Sequence, residues 1–122
     1  MNSHTVFVSN INDATAYYES VFGFTVGHKE ENQPLEPRIY LSSKGVTHSD
    51  IDLVLVEDEK AAYAQLLHKT IQAIEWKSTQ FWEDYHAFSA FGVVFEALPK
   101  EQDHHKQVFF IDAYGVHWEL VS

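Results

Sequence analysis

The sequence predicts an α+β fold: two tandem βαβββ modules forming a curled mixed sheet around a cleft. Internal repetition is the first reason. Val21-Phe22-Gly23-Phe24-Thr25-Val26 is echoed by Ala90-Phe91-Gly92-Val93-Val94-Phe95, and each string follows a helical-looking segment. Each half then closes on a related strand, Ile51-Asp52-Leu53-Val54 in the first and Trp118-Glu119-Leu120-Val121 in the second. Gly23 and Gly92 stand 69 residues apart, and Asp52 and Glu119 stand 67 apart, so two units of nearly equal length follow one another. One such unit leaves an apolar face that a second must cover, and two copies are too few for a solenoid. The second reason is size: 122 residues, 45% hydrophobic and 15% aromatic, fill one core and exclude general disorder. A single domain follows, with modules at about 1–58 and 70–122 and a connector over 59–69.

The elements follow in order. Residues 4–8 are rich in β-branched and aromatic side chains and suit a strand. Asn10 or Asn12 can cap a helix from Asp13 to Phe22, where Ala14, Tyr17, Tyr18 and Val21 fall at helical spacing and Gly23 provides a left-handed stop. Phe24 to His28 reads as a strand, and Glu30 to Pro37, with two of the three prolines, as a loop. Arg38–Ser42 and Ile51–Val56 read as strands joined through Gly45, and the alanine-rich Glu57–Lys69 as a connecting helix. The second unit repeats the order: a strand at Ile71–Lys77, a helix over Gln80–Phe91 capped by Thr79 and stopped by Gly92, and strands at Val93–Ala97, Gln107–Ile111 and Val116–Val121. Pro99 to His105 is expected to be a polar loop, with His104 and His105 able to act as a flap over the cleft.

Several functions are excluded at this point. There is no cysteine, hence no disulfide, thiolate metal site or cysteine nucleophile. No apolar run is long enough to span a bilayer, and Met1-Asn2-Ser3-His4 opens directly on a strand-like stretch; no membrane partner and a cytoplasmic address are expected. Eight Lys and Arg against eighteen acids give a net charge of −10, so nucleic acid is a poor partner. No Ser/His/Asp triad and no glycine-rich phosphate loop can be made out.

Two strings carry a family resemblance. Ala14-Thr15-Ala16-Tyr17-Tyr18-Glu19-Ser20-Val21-Phe22-Gly23-Phe24 is similar to an "A..FY...LGF" segment, and Phe110-Ile111-Asp112-Ala113-Tyr114-Gly115-Val116-His117-Trp118-Glu119-Leu120-Val121 to "F.DPDGN.wELv". In this order at the two ends of a short repeated chain, they resemble the vicinal oxygen chelate superfamily, which contains glyoxalase I, bleomycin-resistance proteins, fosfomycin-resistance enzymes and extradiol dioxygenases. Ala113 stands where that pattern has proline and Val116 where it has asparagine, so the turn is a variant one.

The resemblance implies a concave site to which the first and last strand of each module contribute, with His or Glu ligands wherever a divalent metal is used. Carried over residue by residue, the last-strand positions are Asp52 and Glu119, both able to ligate, and the first-strand positions are Ser3 and Ala73, neither of them an imidazole. His4 is one residue from Ser3, and a one-residue slip along a strand reverses the face. The metal site that the resemblance implies is therefore broken, and a binder without cofactor is the leading expectation. The alternative is a divalent-metal lyase, isomerase or dioxygenase held by Asp52, Glu119 and a recruited His117 or His4; a structural dimer module is the third reading.

Alternation along the strands completes the candidate site. His117 and Glu119 share one face, as do Glu75 and Lys77 with Ala73 and Asp52 with Val54. Phe7, Tyr40 and Phe109 can line the same cleft, so the candidate ligand-binding set is Phe7, Tyr40, Asp52, Glu75, Phe109, His117 and Glu119. Neighbouring buried carboxylates would raise one another's pKa, whereas in a water-filled cleft they are ordinary solvated groups. Trp76 and Trp118 alternate onto the helix side, and Phe81, Tyr85 and Phe88 form a core stripe; Trp82 lies off it and suits an interface. The other histidines read as surface residues. The expected partners are a small, flat or cationic organic ligand and a second copy of the chain, because relatives commonly pair modules across a homodimer.

Overall fold

A computed structural model of the chain describes residues 2–30, 37–43, 51–67 and 73–122. Strand β1 (Asn2–Val8) leads into helix α1 (Ile11–Phe22). The Asn10 side chain accepts from the Asp13 amide at 3.0 Å, and the Glu57 carboxylate accepts from the Ile11 amide at 2.9 Å, so two orphan donors of the first turn are satisfied. Gly23, at φ 77°, ends the helix and hands its amide to the Glu19 carbonyl, the left-handed stop that its position predicts. Strands β2 (Thr25–Glu30), β3 (Arg38–Ser42) and β4 (Ile51–Glu57) complete a four-stranded sheet of order β1-β4-β3-β2, with β1 parallel to β4 and the rest antiparallel.

Helix α2 (Glu59–Leu67) connects the halves. Its Gln65 works as a short strand mimic on the free edge of β1: Oε1 accepts from the Phe7 amide and Nε2 donates to the Phe7 carbonyl. The same Nε2 donates to the Tyr114 carbonyl of the second half at 2.8 Å. Strand β5 (Ile74–Lys77) and helix α3 (Phe81–Ala90) follow, then β6 (Val94–Phe95), β7 (Lys100–Gln102), β8 (His105–Ile111) and β9 (His117–Val121). They build a second sheet of order β5-β9-β8-β6, with β7 paired to the outer half of β8.

The topology is thus the expected repeated unit with one strand added. Three local expectations are corrected. Thr79 does not cap α3; the cap position is Gln80, whose side chain makes no capping bond, and Ser78 ahead of it braces the turn, its Oγ accepting from the Gln80 amide at 2.9 Å and donating to Asp84 at 2.6 Å. The loop expected over Pro99–His105 is largely a hairpin. Asp103 and His104 form its two-residue turn with φ of 51° and 68°, the conformation that hairpin turns demand but that Asn-Gly usually supplies. The strand expected from Val93 to Ala97 stops at Phe95, before Pro99, which has no amide to offer a ladder. Most of the loop expected over 30–37, the Gly45 connection, His48, His68 and the first two residues of the strand expected at Ile71 lie outside the described residues. Among the described residues no helix is long and apolar enough to cross a membrane.

One core serves both sheets. Val6, Leu41 and Leu53 point into it from the first sheet, and Trp76, Phe110 and Trp118 from the second. Helix α1 stands between them. Phe22, 2% exposed, packs its ring 4.9 Å from that of Trp118, 5.0 Å from Phe88 and 5.5 Å from Trp76. Behind it lies a buried carboxylate. Asp112 Oδ2 accepts from the Tyr18 hydroxyl at 2.6 Å and Trp118 Nε1 at 2.9 Å, while Oδ1 accepts from the Tyr114 amide at 2.8 Å and the Val116 amide at 3.0 Å. The variant β8–β9 turn is thus shaped by the aspartate side chain, with Gly115 at φ 80° closing it. A side chain at Gly115 would also meet Leu66 Cα at 3.1 Å, so this turn seats directly on α2.

These contacts make two predictions. Tyr18→Phe removes one hydrogen bond to a buried charge and should cost about 1.5–3 kcal/mol in urea unfolding. Asp112→Asn should cost more, because its amide nitrogen must face donors that the carboxylate accepts. The second prediction concerns alkaline pH. Burial, the leading cause, pushes the Tyr17 hydroxyl up to about 12, Tyr18 well above the ordinary value and Tyr114 upward, with the Asp112 charge adding to all three. Above pH 10 the unfolded chain releases these protons and the folded chain keeps them. Stability from these groups is therefore present below pH 10 and falls as pH rises from 10 toward 12. Tyrosinate absorbance should show a subset of the six tyrosines titrating late and together with loss of near-ultraviolet circular dichroism; six independent, ordinary titrations would refute it.

Candidate functional site

Each sheet gives one face to the shared core and turns the other outward. On the first sheet the outward row runs through Ser3, Asp52 and Ser42 in ladder register, with Tyr40 beside Val54 in the next row. A depression of about 390 Å³ lies there, walled by Ser3, Gly27, Tyr40, Asp52 and Val54. Gly27 sits at the irregularity between Val26 and His28, where β2 slips its register against β3 and bends.

On the second sheet Glu75, Glu119 and Phe109 are ladder neighbours across β5, β9 and β8, and His117 lies opposite Ile111. A smaller cavity of about 230 Å³ is lined by Ala73, Glu96, Phe109, His117 and Trp118. Phe109 is 42% exposed, unusual for a phenylalanine flanked by buried Val108 and Phe110, and it forms an apolar wall. His117 Nδ1 stands 3.8 Å from Glu96 Oε1. Glu119 is half-buried, and loss of solvation followed by the charge of Glu75 raises its pKa above the usual carboxylate value.

The candidate set is therefore divided. Tyr40 and Asp52 line one cavity; Phe109 and His117 line the other, with Glu75 and Glu119 in the ladder row beside it. Phe7 is half-buried on β1, where Gln65 holds its backbone, and is not among the residues lining either cavity. Trp76 and Trp118 are buried and Trp82 is 46% exposed, as the alternation implies. Sequence reasoning missed Glu96. The signal was available only through pairing: Glu96 donates its amide to the Phe109 carbonyl at 3.1 Å, which puts its side chain in the row of Phe109 and Glu119. Within a two-residue strand, alternation alone could not show it.

The repeated unit, the two sheets around a shared helical layer and the outward concave faces define the class. The chain belongs to the Glyoxalase/Bleomycin resistance protein/Dioxygenase superfamily, whose profile matches residues 1–120. Among solved structures it is similar to a superfamily member from Sphaerobacter thermophilus, at 18% identity and a TM-score of 0.73, covering 99% of this chain and 94% of that one. A glyoxalase/bleomycin resistance protein from Streptomyces sp. aligns over the full length of both chains at 20% identity and a TM-score of 0.69. The genomically encoded fosfomycin resistance protein FosX from Listeria monocytogenes, complexed with Mn(II) and sulfate, aligns at 17% identity and a TM-score of 0.71, covering 98% of this chain and 86% of that one. No curated protein matches the chain.

A divalent metal is thus a cofactor that the superfamily suggests, and the donor set decides whether one chain could hold it. Ala73 has no donor atom. Asp52 and Glu119 lie on different sheets and line different faces. Among the described residues no three His, Asp or Glu side chains converge as a metal site requires. The described residues of one chain do not fit the group.

Glu119 offers a direct test of the electrostatics. In Glu75→Gln the neighbouring charge is gone, so the Glu119 midpoint should move down toward the ordinary range while the burial contribution persists. Carboxyl-carbon NMR titration reads this; an unmoved midpoint would assign the whole shift to desolvation.

Proposed function

We propose that the chain binds a small organic ligand, without a resident metal, in a cleft closed between two copies of itself. The open face of the first sheet of one copy covers the open face of the second sheet of the other. One observation carries this reading: each of the two cavities is lined by a single sheet, so each is half of a ligand site. The halves are complementary in character. Tyr40, Val54 and Phe109 supply apolar and aromatic surface, and Asp52, Glu75, Glu119 and His117 supply polar groups at its margins, the composition that ligand clefts share. An acidic margin with aromatic walls suits flat, basic organic molecules through stacking and cation–π contacts.

The reading is tested by mass, metal and complementation together. Sedimentation should give a homodimer, and elemental analysis of untagged protein should give no stoichiometric metal. A near-stoichiometric metal that disappears in Glu119→Gln would replace this function by a metal-dependent one. A ligand found by thermal shift among planar aromatic amines should stabilise the protein by about 2.7 kcal/mol at a hundredfold excess over its dissociation constant. Tyr40→Ala and Phe109→Ala should each abolish that shift. Mixing the two after unfolding and refolding should restore part of it, because a mixed dimer has one cleft with both native walls. No restoration would place the ligand within a single chain.

A further inference from the structure

Glu96, just past the end of β6, and His117, at the start of β9, lie on opposite flanks of β8. The ladder sets Glu96 beside Phe109 and His117 beside Ile111, yet their side chains arch over β8 until Nδ1 and Oε1 are 3.8 Å apart. The cavity of about 230 Å³ lies at this arch, with Ala73 and Phe109 as its apolar walls. That volume is below the roughly 300 Å³ at which drug-sized pockets begin, so it suits one or two fused rings. A larger side chain at Ala73 would fill it.

The carboxylate decides how the imidazole presents itself. A neutral imidazole has one N–H and one lone pair, and an acceptor beside a ring nitrogen attracts the N–H to that nitrogen. The Glu96 oxygen at 3.8 Å is beyond hydrogen-bond distance, but its charge favours the proton on Nδ1, which would leave the lone pair of the neutral ring on Nε2, for which the described residues supply no hydrogen-bond partner. The imidazole is 25% exposed, so Nε2 stays within reach of a ligand. We infer that Glu96 holds His117 in its Nδ1–H form and that Nε2 accepts a hydrogen bond from the N–H or O–H of a planar ring system lying against Phe109. This inference rests on the ligand-binding reading given above and names the specificity-determining group of its second half. Glu96 is a positioning residue in this account, acting through the imidazole.

Two measurements test it. Long-range proton–nitrogen NMR at about pH 8.5, above the ordinary imidazole range, should show the Nδ1–H pattern for His117, and Glu96→Leu should convert it to the Nε2–H form that free histidine prefers. An unchanged Nε2–H pattern in the parent overturns the inference without touching the ligand-binding reading. The second measurement titrates the protein with indole and with 1-methylindole, which differ by the donor alone. Indole should bind about tenfold more tightly, the worth of one hydrogen bond, with chemical-shift changes centred on Ala73, Phe109 and His117. His117→Phe should equalise the two. Equal affinities in the parent, at those same residues, would overturn donor recognition and leave the cleft standing as a ligand site. Failure of both probes to perturb those residues would overturn the inference and the use of this face for ligands together.

Discussion

The buried carboxylate of Asp112 is the constraint on which the rest of the molecule depends. An ionised group in an apolar interior is costly unless every lone pair is used, and its four donors come from three separate places in the chain. Two are backbone amides of the β8–β9 turn, one is the indole of Trp118 on β9, and one is the hydroxyl of Tyr18 on α1. Desolvation still raises its pKa, against the pull of those donors. Satisfying one aspartate therefore fixes the turn, orients the central indole of the second sheet and docks the helix of the first half onto the second half.

Docking α1 there determines where a ligand can go. With Phe22 inserted between Trp76, Phe88 and Trp118, the helical layer occupies the space between the sheets, and both inner faces are consumed by packing. What remains for function is the pair of outer faces. Gln65 strengthens the same arrangement, since it ties the edge of β1 to the β8–β9 turn and leaves that edge without free backbone donors at Phe7. The halves are held too firmly by these contacts to turn their open faces toward one another within one chain. A second copy is the economical way to bring them together.

Much of this was legible in the sequence, for identifiable reasons. Helix α1 announced itself because Asn10, the Ala14–Tyr18–Val21 stripe and Gly23 all agree on start, face and stop. Strands β3, β4 and β9 were legible because alternation of buried and half-exposed residues is regular in them. The hairpin turn was not, since Asp103 and His104 adopt left-handed backbone without the glycine that normally signals it. The cap of α3 was misplaced by one residue because Gln80, which takes the cap position without a side-chain capping bond, carries no cap signal, whereas Thr79 before it does. The seven candidate site residues came from strand alternation, and alternation says nothing about which sheet meets which. That the set divides into two groups is a property of how α1 packs, and no local pattern encodes it.

The chemistry of the two half-sites follows from what stands at the first-strand positions. A metal centre draws its binding power from several donors converging on one point. Ala73 supplies none, and Ser3 and Asp52 lie on the other sheet from Glu119, so within one chain the described residues do not bring such donors to one point. The small Ala73 side chain leaves room there, and it lines the cavity together with Glu96 and His117. The face there carries a ring wall at Phe109, the imidazole of His117 and the adjacent carboxylates of Glu75 and Glu119, the second of which takes up a proton more readily than an ordinary glutamate. Asp112 and the aromatic wedge around Phe22 hold the frame on which these groups stand.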